Sequence, residues 1–176
     1  EWCAHGLDPD GPTDQREDDG NAVIFDSEFL DAPLEILGAP VLHLRLSSDK
    51  PNAFIVARLN DVAPDGASTR VTYGVLNLTH RNDHEHPEAL VPGETYEIHL
   101  QLNDIAHAFK AGHRIKLVIS SMDHARARNY ELAPESLGRT HAPWHLGSAK
   151  TTLHKVFHDE VRSSHLLLPV IPAASN

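Results

Sequence analysis

"VLHLRLSS", residues 41–48, alternates without a break. Leu42, Leu44 and Leu46 fall on one side, and His43, Arg45 and Ser47 on the other. Successive side chains of an extended strand point to opposite faces, so this spacing predicts a strand with one face buried. The next run, "AFIVARLNDV" at 53–62, is apolar on both faces, as a central strand requires. Pro64–Asp65–Gly66 follows, where Pro presets φ and Gly accepts φ > 0. "STRVTYGVLNLTH" at 68–80 then returns as the antiparallel partner, which makes 53–80 a hairpin.

The same texture extends outward. "AVIF" at 22–25 and "LEILG" at 34–38 are short apolar runs. "TYEIHLQL" at 95–102 places Tyr96, Ile98, Leu100 and Leu102 on one side. In "HAFKAGHRIKLVISS" at 107–121, Ile115, Leu117 and Ile119 point one way and Arg114 and Lys116 the other. "NDIAHAFKAG" at 103–112 reads as one or two helical turns: Asn103 or Asp104 caps, Ile105 and Phe109 stand i,i+4, and Gly112 terminates. "TTLHKVFHD" at 151–159 and "HLLLPVI" at 165–171 close the chain as strands. The expected class is all-β, a sandwich or barrel of about eight strands with one short helix. The strand-helix alternation of a parallel fold is absent.

Residues 1–20 are polar and rich in Gly, Pro and Asp; they read as a linker leading into a domain over 21–176. Residues 122–150 are irregular, with Pro134, Gly138, Pro143 and Gly147. A chain of 176 residues suits one domain. Its formal charge of −10 argues against nucleic acid and against an anionic membrane surface as partners. Fourteen histidines blunt that charge as pH falls toward their titration range. Cys3 is the single cysteine, so an internal disulfide and a thiolate metal cluster are excluded. A reducing, bacterial cytoplasmic setting is the expectation. The chain begins with Glu1 and shows no secretion signal, which suggests a piece of a longer protein whose chemistry lies elsewhere.

Chemistry-bearing motifs are sparse. An α/β-type serine hydrolase needs G-x-S-x-G on a strand-to-helix turn, and the sequence has none. No catalytic residue is assigned. His84–Glu85–His86 is the best metal candidate, yet it lies in a proline-bounded loop. His141 and His145 flank Pro143, which forbids a regular helix. His154 and His158 are about 13 Å apart at strand rise, too far for one ion. Solvated or hydrogen-bonded histidines are the preferred reading, so no metal and no cofactor are expected. The Asp14, Glu17, Asp18 and Asp19 cluster reads as a solvated acidic loop rather than a calcium loop. Asn77–Leu78–Thr79 matches a glycosylation acceptor but falls within a strand. Tyr96 shares a face with Ile98 and reads as core; Trp144, in a loop, is an aromatic able to cover a partner surface.

Several of these pieces occur in a familiar order. The Asp14–Gln15–Arg16 element, the Gly38–Ala39–Pro40 lead into a strand, Asp61 with Pro64–Asp65–Gly66, Pro92–Gly93, Phe109 with Gly112–His113–Arg114, and "SSHLLLPV" at 163–170 follow one another. Together they resemble the C-terminal domain of the X-Pro dipeptidyl-peptidase and cocaine-esterase family of serine hydrolases. The resemblance implies a jelly-roll β-sandwich of the galactose-binding-like type. It implies an upstream α/β-hydrolase domain carrying the Ser-Asp-His triad, against which the sandwich packs to help shape the substrate cleft, and a contribution to homo-oligomer contacts. The expected interface with that domain comprises Trp2, Asp14, Gln15, Arg16 and Trp144, in the irregular 1–20 and 122–150 segments. After Ser120–Ser121 the sequence departs from the family pattern. The alternative reading of the same fold class is a carbohydrate-binding module, which needs an exposed aromatic platform. A cupin-like metalloenzyme would need histidines converging inside a barrel.

Overall fold

The structure, a computed structural model, describes residues 14–20, 22–121, 154–158 and 163–172. Trp2, Cys3, Trp144 and the 122–150 segment lie outside the described residues.

The hairpin read from the sequence is the spine of the first sheet. Strand β4 (Phe54–Val62) pairs antiparallel with β5 (Ser68–Asn77), from Phe54 opposite Asn77 to Val62 opposite Ser68. Gly66 closes the turn at φ +87, and its N–H donates to the Ala63 carbonyl at 2.8 Å. Only glycine adopts that backbone region without steric cost. On the other flank β4 pairs with β8 (Arg114–Ser120), which pairs with β1 (Val23–Asp26), giving the order β1-β8-β4-β5. As the apolar run predicted, β4 is central and buried on both faces.

The second sheet is built on β3 (Val41–Ser48). Strand β6 (Thr95–Gln101) lies along one side of it. Its other side is shared end to end by β10 (His165–Leu167), opposite Val41–His43, and β9 (His154–Phe157), opposite Arg45–Ser48. A third, two-stranded sheet joins β2 (Leu34–Gly38) to β7 (Ile105–Phe109).

The sheets face each other across one core. Leu42, Leu44, Leu46, Ile98 and Leu100 come from the β3–β6 sheet, Ile55, Ala57, Leu59 and Ile119 from the β4 sheet, and Ile36 and Phe109 from the small one. Each fully buried Leu, Ile or Phe side chain contributes about 1.5–3 kcal/mol relative to exposure. The alternation drives this: Leu42, Leu44 and Leu46 are at most 2% exposed, while His43 and Arg45 between them face outward. The fold is thus a β-sandwich with ten strands among the described residues.

Residues 105–109 are a strand, not the helical turn expected from their i,i+4 spacing. A separation of four residues is two full strand periods and also near one helical turn, so Ile105 and Phe109 share a face in either conformation. The intervening Ala106 and Ala108 are exposed and His107 sits on the inward face, which is period two. Ladder bonds to β2 decide between them. The short helix lies instead at α1 (Arg16–Asp19), inside the segment read as linker.

Gly74 marks where β5 passes over β6. A Cβ there would stand 2.9 Å from the Gln101 carbonyl oxygen and 3.2 Å from the Leu102 Cα, both backbone atoms that cannot swing aside. Gly74→Ala should therefore destabilise by about 1–3 kcal/mol, the usual cost of overpacking. Urea unfolding checks this, with Gly93→Ala as a control position where nothing lies within 4 Å but φ is +86.

Candidate functional site

Four polar clusters stand out. The first lies on the outer face of β4. Arg58 and Asn60 follow Val56 on that face, and Lys116 of β8 stands opposite Asn60. Helix α1 covers them. Arg58 donates through Nη1 to Gln15 Oε1 at 3.0 Å and through Nη2 to Asp19 Oδ1 at 2.9 Å. The other Asp19 oxygen accepts from Ser68 Oγ at 3.1 Å and lies 3.5 Å from Lys116 Nζ. Asp19 is 2% exposed and Arg58 5%, so the expected solvated acidic loop is, at Asp19, a buried ion pair. An arginine in a run buried on both faces is the sequence signal that could have shown it: a buried guanidinium needs a carboxylate.

Asp14 and Arg16, on either side of buried Gln15, remain exposed. Arg16 Nε donates to Asp14 Oδ2 at 2.7 Å, and the Ser68 N–H donates to Asp14 Oδ1 at 3.1 Å. The Arg16 hydrogen bond, then the Ser68 amide, lowers the Asp14 carboxyl from 3.8 to about 2. The folded state therefore holds fewer protons than the unfolded chain between those values, and stability falls as pH drops through that window. Asp14→Asn should flatten that part of the acid-unfolding curve, read by circular dichroism. Of the expected interface residues, Asp14 and Arg16 are thus at the surface, and Gln15 is turned into its own domain.

The second cluster ties three segments together at one end of the sandwich. Asp61, at the end of β4, accepts from His113 Nδ1 at 2.7 Å and lies 3.0 Å from His107 Nε2 on β7. His113 had no partner adjacent in sequence; its partner comes from the hairpin 52 residues earlier. An aspartate orienting an imidazole is two members of the acyl-transfer triad, but here one carboxylate is shared by two rings that brace β7 and the approach to β8. His113 thereby ties the turn at Gly112–His113 to the end of β4.

The third cluster clips the 81–94 loop. Arg81 donates to the Leu78 and Glu88 carbonyls at 3.2 and 2.7 Å and lies over the Tyr96 ring at 4.5 Å. Tyr96 packs on the core as expected, and its hydroxyl accepts from the Val91 N–H. Asn77 uses its side-chain oxygen to accept from the Thr79 N–H at 3.1 Å, which caps the 3-10 turn Leu78–His80. His84, Glu85 and His86 lie exposed in the same loop, and His86 is paired with Asp83 at 2.6 Å.

The fourth is a row of imidazoles on the outer face of the second sheet: His99 on β6, His43 on β3 and His165 on β10. A cavity of about 240 Å³ lies between the two sheets near this edge, walled by Phe25, Leu117 and Ile119 on one side and Leu42, Leu44 and Leu166 on the other. Among the described residues, no group of three or more metal-ligating side chains is placed to hold an ion.

The first three of these clusters brace the sandwich's own strands and loops. Comparison with known proteins places the sandwich. The chain belongs to the family described as the X-Pro dipeptidyl-peptidase C-terminal non-catalytic domain, which it matches over residues 3–166. It is 28% identical over 164 residues to the cocaine esterase of Rhodococcus sp. (strain MB1 Bresler), covering 92% of this chain and 28% of that protein. Among solved structures, an α-amino acid ester hydrolase superposes with a TM-score of 0.73 at 23% identity, over 92% of this chain and 28% of that one. A CocE/NonD family hydrolase of Staphylococcus aureus superposes at 0.68 with 18% identity, over 90% and 32%. The chain thus spans less than a third of the length of these relatives.

Proposed function

We propose that this chain serves as the companion sandwich of a serine hydrolase that cleaves an ester or amide through an acyl-enzyme. The observation that carries the reading is the family match: a non-catalytic domain that makes up 28% of a cocaine esterase. In this reading the reactive serine stands on a hydrolase domain of the same parent chain. The sandwich buries surface against that domain, fixes the walls of the cleft and keeps water out of it. Contact runs through Asp14 and Arg16 with Trp2, and through the 122–150 segment with Trp144. The buried Arg58–Asp19 pair supports this role by fixing α1, and with it Asp14 and Arg16, on the rigid central strand.

Hydrogen exchange on the parent hydrolase and on the present chain alone tests this. Amides at 15–20 and in 122–150 should exchange more slowly in the parent, and the chain alone should not turn over p-nitrophenyl esters. Equal exchange in both would remove the proposed contact. Ester turnover by the chain alone, abolished by replacing one of its own side chains, would overturn the companion role.

A further inference from the structure

His99, His43 and His165 are direct cross-strand neighbours on three adjacent strands. The His43 and His165 rings stack at 4.6 Å and 9°, and the His43 and His99 rings lie 4.3 Å apart at 58°. The outer two rings flank His43 on opposite sides, so their nitrogens do not converge on one point. Such a row does not chelate.

The strand at one end of the row is short, and the chain just after it is tied to β2, where the Leu37 N–H donates to the Pro169 carbonyl at 3.0 Å and the Ile171 N–H to the Glu35 carbonyl at 2.9 Å. β10 has three residues, paired with Val41, Leu42 and His43 of β3. It carries Leu166, which packs against the core and forms part of the cavity wall between the sheets. Ser164, just before it, donates to the Phe157 carbonyl at 2.6 Å and accepts from the Arg45 N–H at 3.1 Å. On the outer face of the sheet, the side-chain hold on β10 is the stack of His165 on His43, while Leu166 and Leu168 hold the inner face.

We propose that the His99–His43–His165 row is a proton-operated latch: neutral, the stacked rings hold β10 on the sheet, and protonated, they repel and release it, opening the cavity between the sheets. Among the described residues, the charged groups around the row do not cancel that repulsion. Glu97 of β6, the nearby carboxylate, is already paired with Arg45 of β3. Lys155 of β9, opposite Ser47, adds positive charge on the same strand's flank. Burial first, then the His99 and His165 charges, hold the His43 imidazole below its ordinary value of 6.5. The folded state thus binds fewer protons than the released one, and the latch holds above that value and weakens as pH falls below it.

Hydrogen exchange of the whole chain at about pH 7.5 and 5.5, corrected for intrinsic rates, reads the latch. Opening of β10, at the His165 and Leu167 amides that face β3, should rise on the order of tenfold at the lower pH, as like charges at this spacing imply. The amides of β4 should not change. In His43→Gln the β10 response should vanish. Equal β10 protection at both pH values, or a response that survives in His43→Gln, would overturn the latch. Should that variant fail to fold, imidazole titration of the wild-type chain by NMR decides: a His43 titration below 6.5 is expected, and His43 titrating at its ordinary value would reject it.

Discussion

Asp19→Ala should cost about 3–5 kcal/mol, the penalty for stranding one member of a buried ion pair. Arg58 would keep its Gln15 hydrogen bond but lose its counter-charge, while Lys116, 9% exposed, would be left beside it with no carboxylate. Two cations would then face each other in a site closed to water. For a domain whose whole stability is about 5–15 kcal/mol, that is a large share. The double variant Asp19→Ala/Arg58→Met separates charge from packing. Removing both partners takes away the desolvation problem together with the attraction, so much of the loss should return. Urea midpoints at constant slope measure both. A single-variant loss below about 1 kcal/mol would mean that the pair is solvated and that α1 is not anchored.

The sheet framework was legible because burial imposes period two wherever one face meets the core. Residues 41–48, 95–102 and the Ile115–Ile119 stretch announced themselves in this way, 53–62 by being apolar on both faces, and 68–80 as the return of its hairpin. The Pro64–Asp65–Gly66 turn was equally plain, since its backbone demands those residue types. What sequence reading left dark was pairing across distance. Nothing local tells that Asp61 meets both His107 and His113, or that His43 has a histidine on each side, because register brings these together from strands 46 to 122 residues apart in the chain. The 14–20 segment failed for a related reason. Its charges and Gly20 look like a loop's, and only the arginine and lysine waiting on the outer face of the β4 sheet turn Asp19 inward.

Phe109→Ala should destabilise by about 3–5 kcal/mol, the range for deleting a buried aromatic ring. Phe109 is fully buried, belongs to the single core cluster, and meets the His107 ring edge-on at 4.7 Å and 78°. Its position is fixed by ladder pairing to Leu34, so the small β2–β7 sheet cannot collapse into the void without breaking that register. The variant also tests how 105–109 is organised when set beside its neighbours. On a strand, Ala106 and Ala108 both face solvent and the Ile105, His107, Phe109 set faces in. Ala106→Thr, β-branched on an exposed strand face, should then change stability by less than about 0.5 kcal/mol or raise it slightly. In a helix the same change would cost stability and Ala108 would tolerate it no better. A large loss at Phe109 with none at Ala106 is the signature of period two, and thermal unfolding of the two variants side by side distinguishes it from the helical turn that i,i+4 spacing alone suggests.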